Sequence, residues 1–144
     1  MSRQDTVKLL RECDAGVKMG IASIEEVVEH TRDGALRQRL AECRKAHQKL
    51  QREIAAQLRR CGEDGKEPSS MAKGMSWIKT NVKLSLSETD RTVAGLMTDG
   101  CDMGVKSLSR YLNEYQAADE DAKHTARVLI EVEEQLETDL RSYL

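Results

Sequence analysis

A chain of 144 residues is long enough to bury one core of ordinary domain size, so a single domain is expected. Charged residues make up 33% and aromatics 3%, with no Phe and one Pro, and no Val/Ile/Thr/Tyr run reads as a strand; the composition is that of an all-α protein. The net charge of −2, with acids and bases interleaved, advertises no basic face to nucleic acid and no polybasic tail to a membrane.

The first residues lack the apolar stretch of a signal peptide, and no run approaches the ~18 apolar residues needed to span a bilayer. A cytoplasmic location follows as an expectation. Cys13, Cys43, Cys61 and Cys101 then read as reduced thiols rather than a disulfide framework, and none forms the Cys-x-x-Cys pair of a zinc ribbon or thioredoxin motif.

In chain order, the first segment runs from about Asp5 to Thr31. It places Val7, Leu10, Asp14, Val17, Ile21, Ile24 and Val28 at alternating steps of three and four, one stripe along a helix. Asp33-Gly34 breaks it. The second helix, about Ala35 to Cys61, carries Leu36, Leu40, Cys43, His47, Leu50, Ile54, Leu58 and Cys61 on one face. Its other face is basic and Gln-rich, as a solvated face can be.

Gly62 to Ser70 reads as a loop punctuated by Gly and Pro68. A shorter amphipathic helix follows, with Met71, Met75, Ile78, Val82 and Leu86 on one side and Trp77 beside them. Ser87-Glu-Thr-Asp90 resembles a capping box. A third long helix then runs to about Ala117 through Cys101, Val105, Leu108, Leu112 and Tyr115. After a turn at Asp119-Glu-Asp121, a fourth carries Ala122, Ala126, Leu129, Val132, Leu136, Leu140 and Tyr143.

An internal repeat organises these elements. Cys13-Asp-Ala-Gly-Val-Lys18 returns as Cys101-Asp-Met-Gly-Val-Lys106, 88 positions on (13 to 101). Past the turn the offset drops to 86 (50 to 136), and Leu50, Ile54 and Leu58 fall on Leu136, Leu140 and Leu144. The chain thus reads as one helix hairpin (5–61), a crossover (62–87) and a second hairpin (88–144). A connection that long suits a run down the bundle rather than a tight turn. The expected fold is an up-and-down four-helix bundle.

Polar residues interrupt the apolar stripes. Asp14 and Asp102 lie on or beside the seams, each preceded by Cys, and His47 lies on the second seam. Its repeat equivalent is Glu133. Desolvating an unpaired charge costs several kcal/mol, so charges at core positions pair or bind metal. These four are expected to converge at one level, where bundles build carboxylate metal sites. Each also has a bland reading: an acid hydrogen-bonded at the stripe's edge, a satisfied imidazole, and small apolar cysteines in the core. Gly16 and Gly104, equivalent in the repeat, read as points of close helix approach.

A duplicated hairpin with acids on all four helices resembles the ferritin-like superfamily. The segments Ala72-Lys-Gly-Met-Ser-Trp77-Ile-Lys and Asp99-Gly-Cys-Asp-Met-Gly-Val-Lys106 resemble those of a bacterial ferritin-like family of unknown function. That family carries a Trp in the crossover and Gly-Glu-Asp-x-x-x-Lys on the third long helix. The resemblance implies a di-iron scaffold with a Glu on the first helix of each hairpin and Glu-x-x-His on the second. Counting from Asp14, the Glu position falls on His47 and the His position on Leu50; in the second half they fall on Asp102, Glu133 and Leu136. Aligned on Gly-Glu-Asp instead, the ligand Glu has become Cys101, and Cys13 in the first half. Both histidine positions hold Leu, so a two-iron oxidase site is not expected.

Three functions follow as expectations. One is a non-catalytic bundle acting through self-association, as a homodimer, or through a protein partner. Another is a metal or redox protein holding one iron, zinc or manganese ion between Asp14, His47, Asp102 and Glu133, with Cys13 or Cys101 assisting. An enzyme without metal has no nucleophile–base pair or phosphate loop to support it.

Overall fold

The computed structural model describes residues 2–65 and 89–144, with the backbone alone at Thr89. The described residues form four long helices and no strand: α1 (Arg3–Val28), α2 (Gly34–Arg60), α3 (Thr89–Glu114) and α4 (Glu120–Leu140), closed by a 3₁₀ turn at Arg141–Tyr143. The expected crossover helix from Met71 to Leu86 and the Ser87 cap lie outside the described residues.

Side-chain caps set the helix starts. Ser2, Asp33 and Asp119 each stand in an extended conformation and accept a hydrogen bond from the backbone amide three residues on. Each satisfies one of the amides that a helix N-terminus leaves without a partner. Asp33 and Asp119 are the turn residues expected from sequence, and α2 and α4 begin on the residue after each.

Hydrogen bonds between helix ends show how the bundle closes. The Ser2 amide donates to the Ala117 carbonyl, and the Asp119 amide to the Thr6 hydroxyl, so α1 starts where α3 ends. At the opposite end the Asp90 carboxylate accepts from the backbone amides of Arg32 and Asp33, at 2.7 and 3.0 Å. There too the Tyr143 hydroxyl donates to Asp33. α1 is therefore antiparallel to α2 and α3, and α4 to α2 and α3. α2 and α3 run parallel, so the order is up–down–down–up and the expected up-and-down alternation is corrected. Asp33 is held well below the usual carboxylate range by the Leu36 amide and the Tyr143 hydroxyl. Asp90 ties the start of the second hairpin to the turn of the first, so Asp90→Ala is expected to cost about 1–2 kcal/mol. A urea titration against wild type measures it.

The core divides into two apolar clusters. One, near the α1–α2 turn, gathers Ile24, Leu36, Leu40, Met97, Cys101 and Leu136. The other, toward the opposite end, gathers Leu10, Cys13, Val17, Ile54, Leu58 and Leu129. Most of the expected stripe residues are buried. Ile21, Cys61, Val105, Leu112, Tyr115, Val132 and Tyr143 are half-buried instead, and Val27 rather than Val28 faces inward on α1. The first half of α3, unassigned from sequence, contributes Val93, Ala94, Leu96 and Met97.

Candidate functional site

Between the two clusters lies a polar waist. On α2 it falls between Cys43, in one cluster, and Leu50, in the other, and His47 fills it with 1% of its surface exposed. His47 Nδ1 is 2.8 Å from the carbonyl oxygen of Cys43, one turn earlier, and 3.5 Å from its Sγ. Across the bundle, Nε2 is 2.7 Å from Oε1 of Glu133 on α4. The Cys101 thiol of α3 hydrogen-bonds to the same carboxylate.

Glycine makes the room. A Cβ on Gly20 of α1 would stand 2.7 Å from Cδ2 and Nε2 of the His47 ring, closer than any ordinary contact. A Cβ on Gly104 of α3 would meet the Glu133 carboxylate at 3.8 Å, an ordinary van der Waals distance. Gly16, paired with Gly104 in the sequence repeat, is exposed and its Cβ would touch only Leu129, at 4.0 Å. The expected close approach at Gly16 and Gly104 is thus corrected: the tight contact is one turn along, at Gly20. The reason is the size of the imidazole on α2.

The geometry defines the charge state of the waist. A carbonyl oxygen can only accept, so Nδ1 must carry a proton, and a carboxylate on Nε2 calls for a second. Burial pulls the imidazole pKa down, but the hydrogen bonds to Cys43 and Glu133 and the Glu133 charge outweigh it. The net result raises His47 from 6.5 to about 10. His47 and Glu133 thus form a buried imidazolium–carboxylate pair. Burial pushes Cys13 up to about 12 and also raises Cys101, with the Glu133 charge adding to the latter. Both thiols stay protonated at neutral pH and are poor nucleophiles.

Of the four residues expected to converge, the structure brings His47 and Glu133 together. Asp14 is 2% exposed but belongs elsewhere, with Lys18 Nζ 2.7 Å from its Oδ2. The α1 residue facing His47 is Gly20, six positions on, or ~9 Å along the helix. Above the Asp14–Lys18 pair lies Gly65, where a Cβ would fall 2.5 Å from Asp14 Oδ2, so any side chain there would have to displace the Asp14 carboxylate. Asp102 is exposed and hydrogen-bonds to Glu137, whose pKa that contact raises. Convergence of four charges at one level is therefore corrected. The repeat turns Cys13 and Cys101 inward, and their Asp neighbours, 100° further round each helix, meet unlike surroundings.

Of the two thiols beside the pair, Cys43 is legible in the sequence only as an apolar seam residue, and Cys101 also as an assisting ligand. Among the described residues no group of three or more His, Cys, Asp or Glu side chains is placed to hold a metal ion. A shallow open groove between α2 and α4 is a separate feature, lined by Glu53, Gln57, Arg60, Asp121, His124 and Thr125 among others. Its mixed charges and the hydrogen bond from the Gln57 amide to the Thr125 hydroxyl are those of a solvated helix–helix seam.

The sequence profile of a family described as a domain of unknown function, DUF2383, matches residues 5–114. The chain belongs to the DUF2383 family. The DUF2383 match runs from α1 to the last residue of α3 and so includes Gly20, His47, Cys101 and Gly104; Glu133 lies outside it. No curated protein and no solved structure matches the chain. No helix among the described residues is long and apolar enough to cross a membrane.

Proposed function

We propose that the chain is a single-domain, non-catalytic, ferritin-like bundle of the cytoplasm that works by binding protein, either a second copy of itself or another chain. One observation carries the reading. Both ring nitrogens of His47, the imidazole at the bundle's waist, are spent on Cys43 and Glu133. A histidine that ligates metal or takes a proton in catalysis needs a free lone pair. This one serves as a structural strut, and the ferritin-like scaffold keeps its shape without the chemistry. The duplicated hairpins and four free cysteines agree with that reading.

The test is hydrodynamic. Sedimentation of the full chain up to millimolar concentration, together with an affinity pull-down, is expected to reveal a dimer or a specific protein partner. A strict monomer that captures nothing would remove the proposal.

A second reading is a single iron, zinc or manganese ion at the waist. It is favoured by the meeting of His47, Glu133 and Cys101. The residues do not fit that group as they stand: the imidazole offers no lone pair, Cys101 is a protonated thiol, and Asp14 and Asp102 face other surroundings. Elemental analysis after anaerobic purification and reconstitution is expected to find less than roughly a tenth of an equivalent of metal. A stoichiometric ion would reverse the order of the two readings.

A further inference from the structure

Charge is distributed unequally over the helices. α2 carries eight Lys or Arg and two Glu, a net of +6, whereas α4 carries seven Asp or Glu and two Lys or Arg, a net of −5. On α2, Lys45, Lys49, Arg52 and Arg59 are exposed and spaced four, three and seven residues apart, one stripe on the solvent side. None of the four has an ion-pair partner among the described residues.

The complementary surface is on the same molecule. Glu131 and Glu134 are exposed on α4, likewise without an ion pair among the described residues. Beside them Glu137 and the exposed Asp102 of α3 hydrogen-bond to each other, which raises the Glu137 pKa. Two carboxyl groups in contact on an open surface mark a concentration of acids there, with Arg141 the nearby cation that acts on Glu137.

We infer that the basic face of α2 docks onto the acidic α3–α4 face of a second copy of this chain. This rests on the self-association proposed above and assigns its surface. Charge complementarity selects the occupant. A second copy supplies carboxylates on the same helical scale, in a molecule whose net charge of −2 permits close approach. A nucleic acid fits less well. α2 has no aromatic side chain for base stacking, and the −5 helix beside it would repel phosphates.

Sedimentation velocity of the full chain tests this at low and high salt, with two charge-reversed variants. Raising NaCl from about 50 mM to about 500 mM is expected to weaken the dimer at least about tenfold. The triple variant K45E/K49E/R52E and the double variant E131K/E134K, each with unchanged helical circular dichroism, are expected to be monomeric alone. Mixed in equal amounts they are expected to form a heterodimer, because the reversed α2 face of one now matches the reversed α4 face of the other. Self-association unaffected by salt and by both variants would overturn this surface while leaving the binding proposal standing. A monomer at every salt concentration would overturn the surface, and binding of duplex DNA that K45E/K49E/R52E abolishes would replace it with a nucleic-acid face.

Discussion

Glu133→Ala is expected to destabilise the protein by about 3–5 kcal/mol at pH 7, the cost of leaving a buried charge without its partner. His47 is 1% exposed, and the Glu133 carboxylate is its counter-charge among the described residues. Without it the imidazolium either stays charged in an apolar setting or loses its proton and leaves Nε2 unsatisfied. Replacing both partners with apolar groups has a different expected result. His47→Leu with Glu133→Leu removes the desolvation cost along with the attraction, and by analogy with other buried pairs should be neutral or stabilising by about 1–4 kcal/mol. Urea unfolding of the two variants beside wild type decides it; a loss below about 1 kcal/mol for Glu133→Ala would mean that the pair is not desolvated.

The same pair predicts a pH dependence of definite sign. His47 is raised from 6.5 to about 10 in the folded protein, so the folded state binds this proton more tightly than the unfolded chain. Its stabilisation is fully present below pH 6.5 and is lost as pH rises through about 10. Other groups titrate in that window, so the measurement is a difference. The wild type should lose stability between neutral pH and pH 10 faster than the His47→Leu, Glu133→Leu double variant.

The second large effect is expected at Gly20. An alanine inside a helix normally gains about 1 kcal/mol over glycine. Here the new methyl would arrive 2.7 Å from a ring held at both nitrogens. The ring cannot swing aside without giving up a charge-assisted hydrogen bond, so Gly20→Ala is expected to lose about 1–3 kcal/mol overall. Gly16→Ala, one turn earlier, is the control: its Cβ has room, and a gain of up to about 1 kcal/mol is expected. Thermal melts of the two variants should move in opposite directions. A Gly20→Ala protein as stable as wild type would show that His47 is free to relocate.

Much of this was legible in the sequence. Periodicity placed all four helices, because steps of three and four can turn only one stripe inward. The offset of 86 residues identified His47 and Glu133 as equivalents, and they meet across the bundle. The family profile, ending at residue 114, covers the first of this pair and not the second. Apolar residues at the start of α3 went unassigned because Gly95 and Gly100 dilute the pattern there, although Val93, Leu96 and Met97 still reach the core.

Helix positions, the turn residues Asp33 and Asp119 and the identity of the polar seam residues were thus determined by the sequence itself, since each follows from local periodicity or local hydrogen bonding. The surroundings that each polar side chain meets beyond its own helix were decided by the tertiary structure. Asp14 and Asp102 occupy equivalent sequence positions, yet one is buried against Lys18 and the other is exposed beside Glu137. A helix fixes a side chain's bearing only to within a face. Whether that bearing meets water, a neighbouring carboxyl group or an imidazole depends on how far neighbouring helices are rotated, and at the waist that rotation accommodates the His47 ring against Gly20.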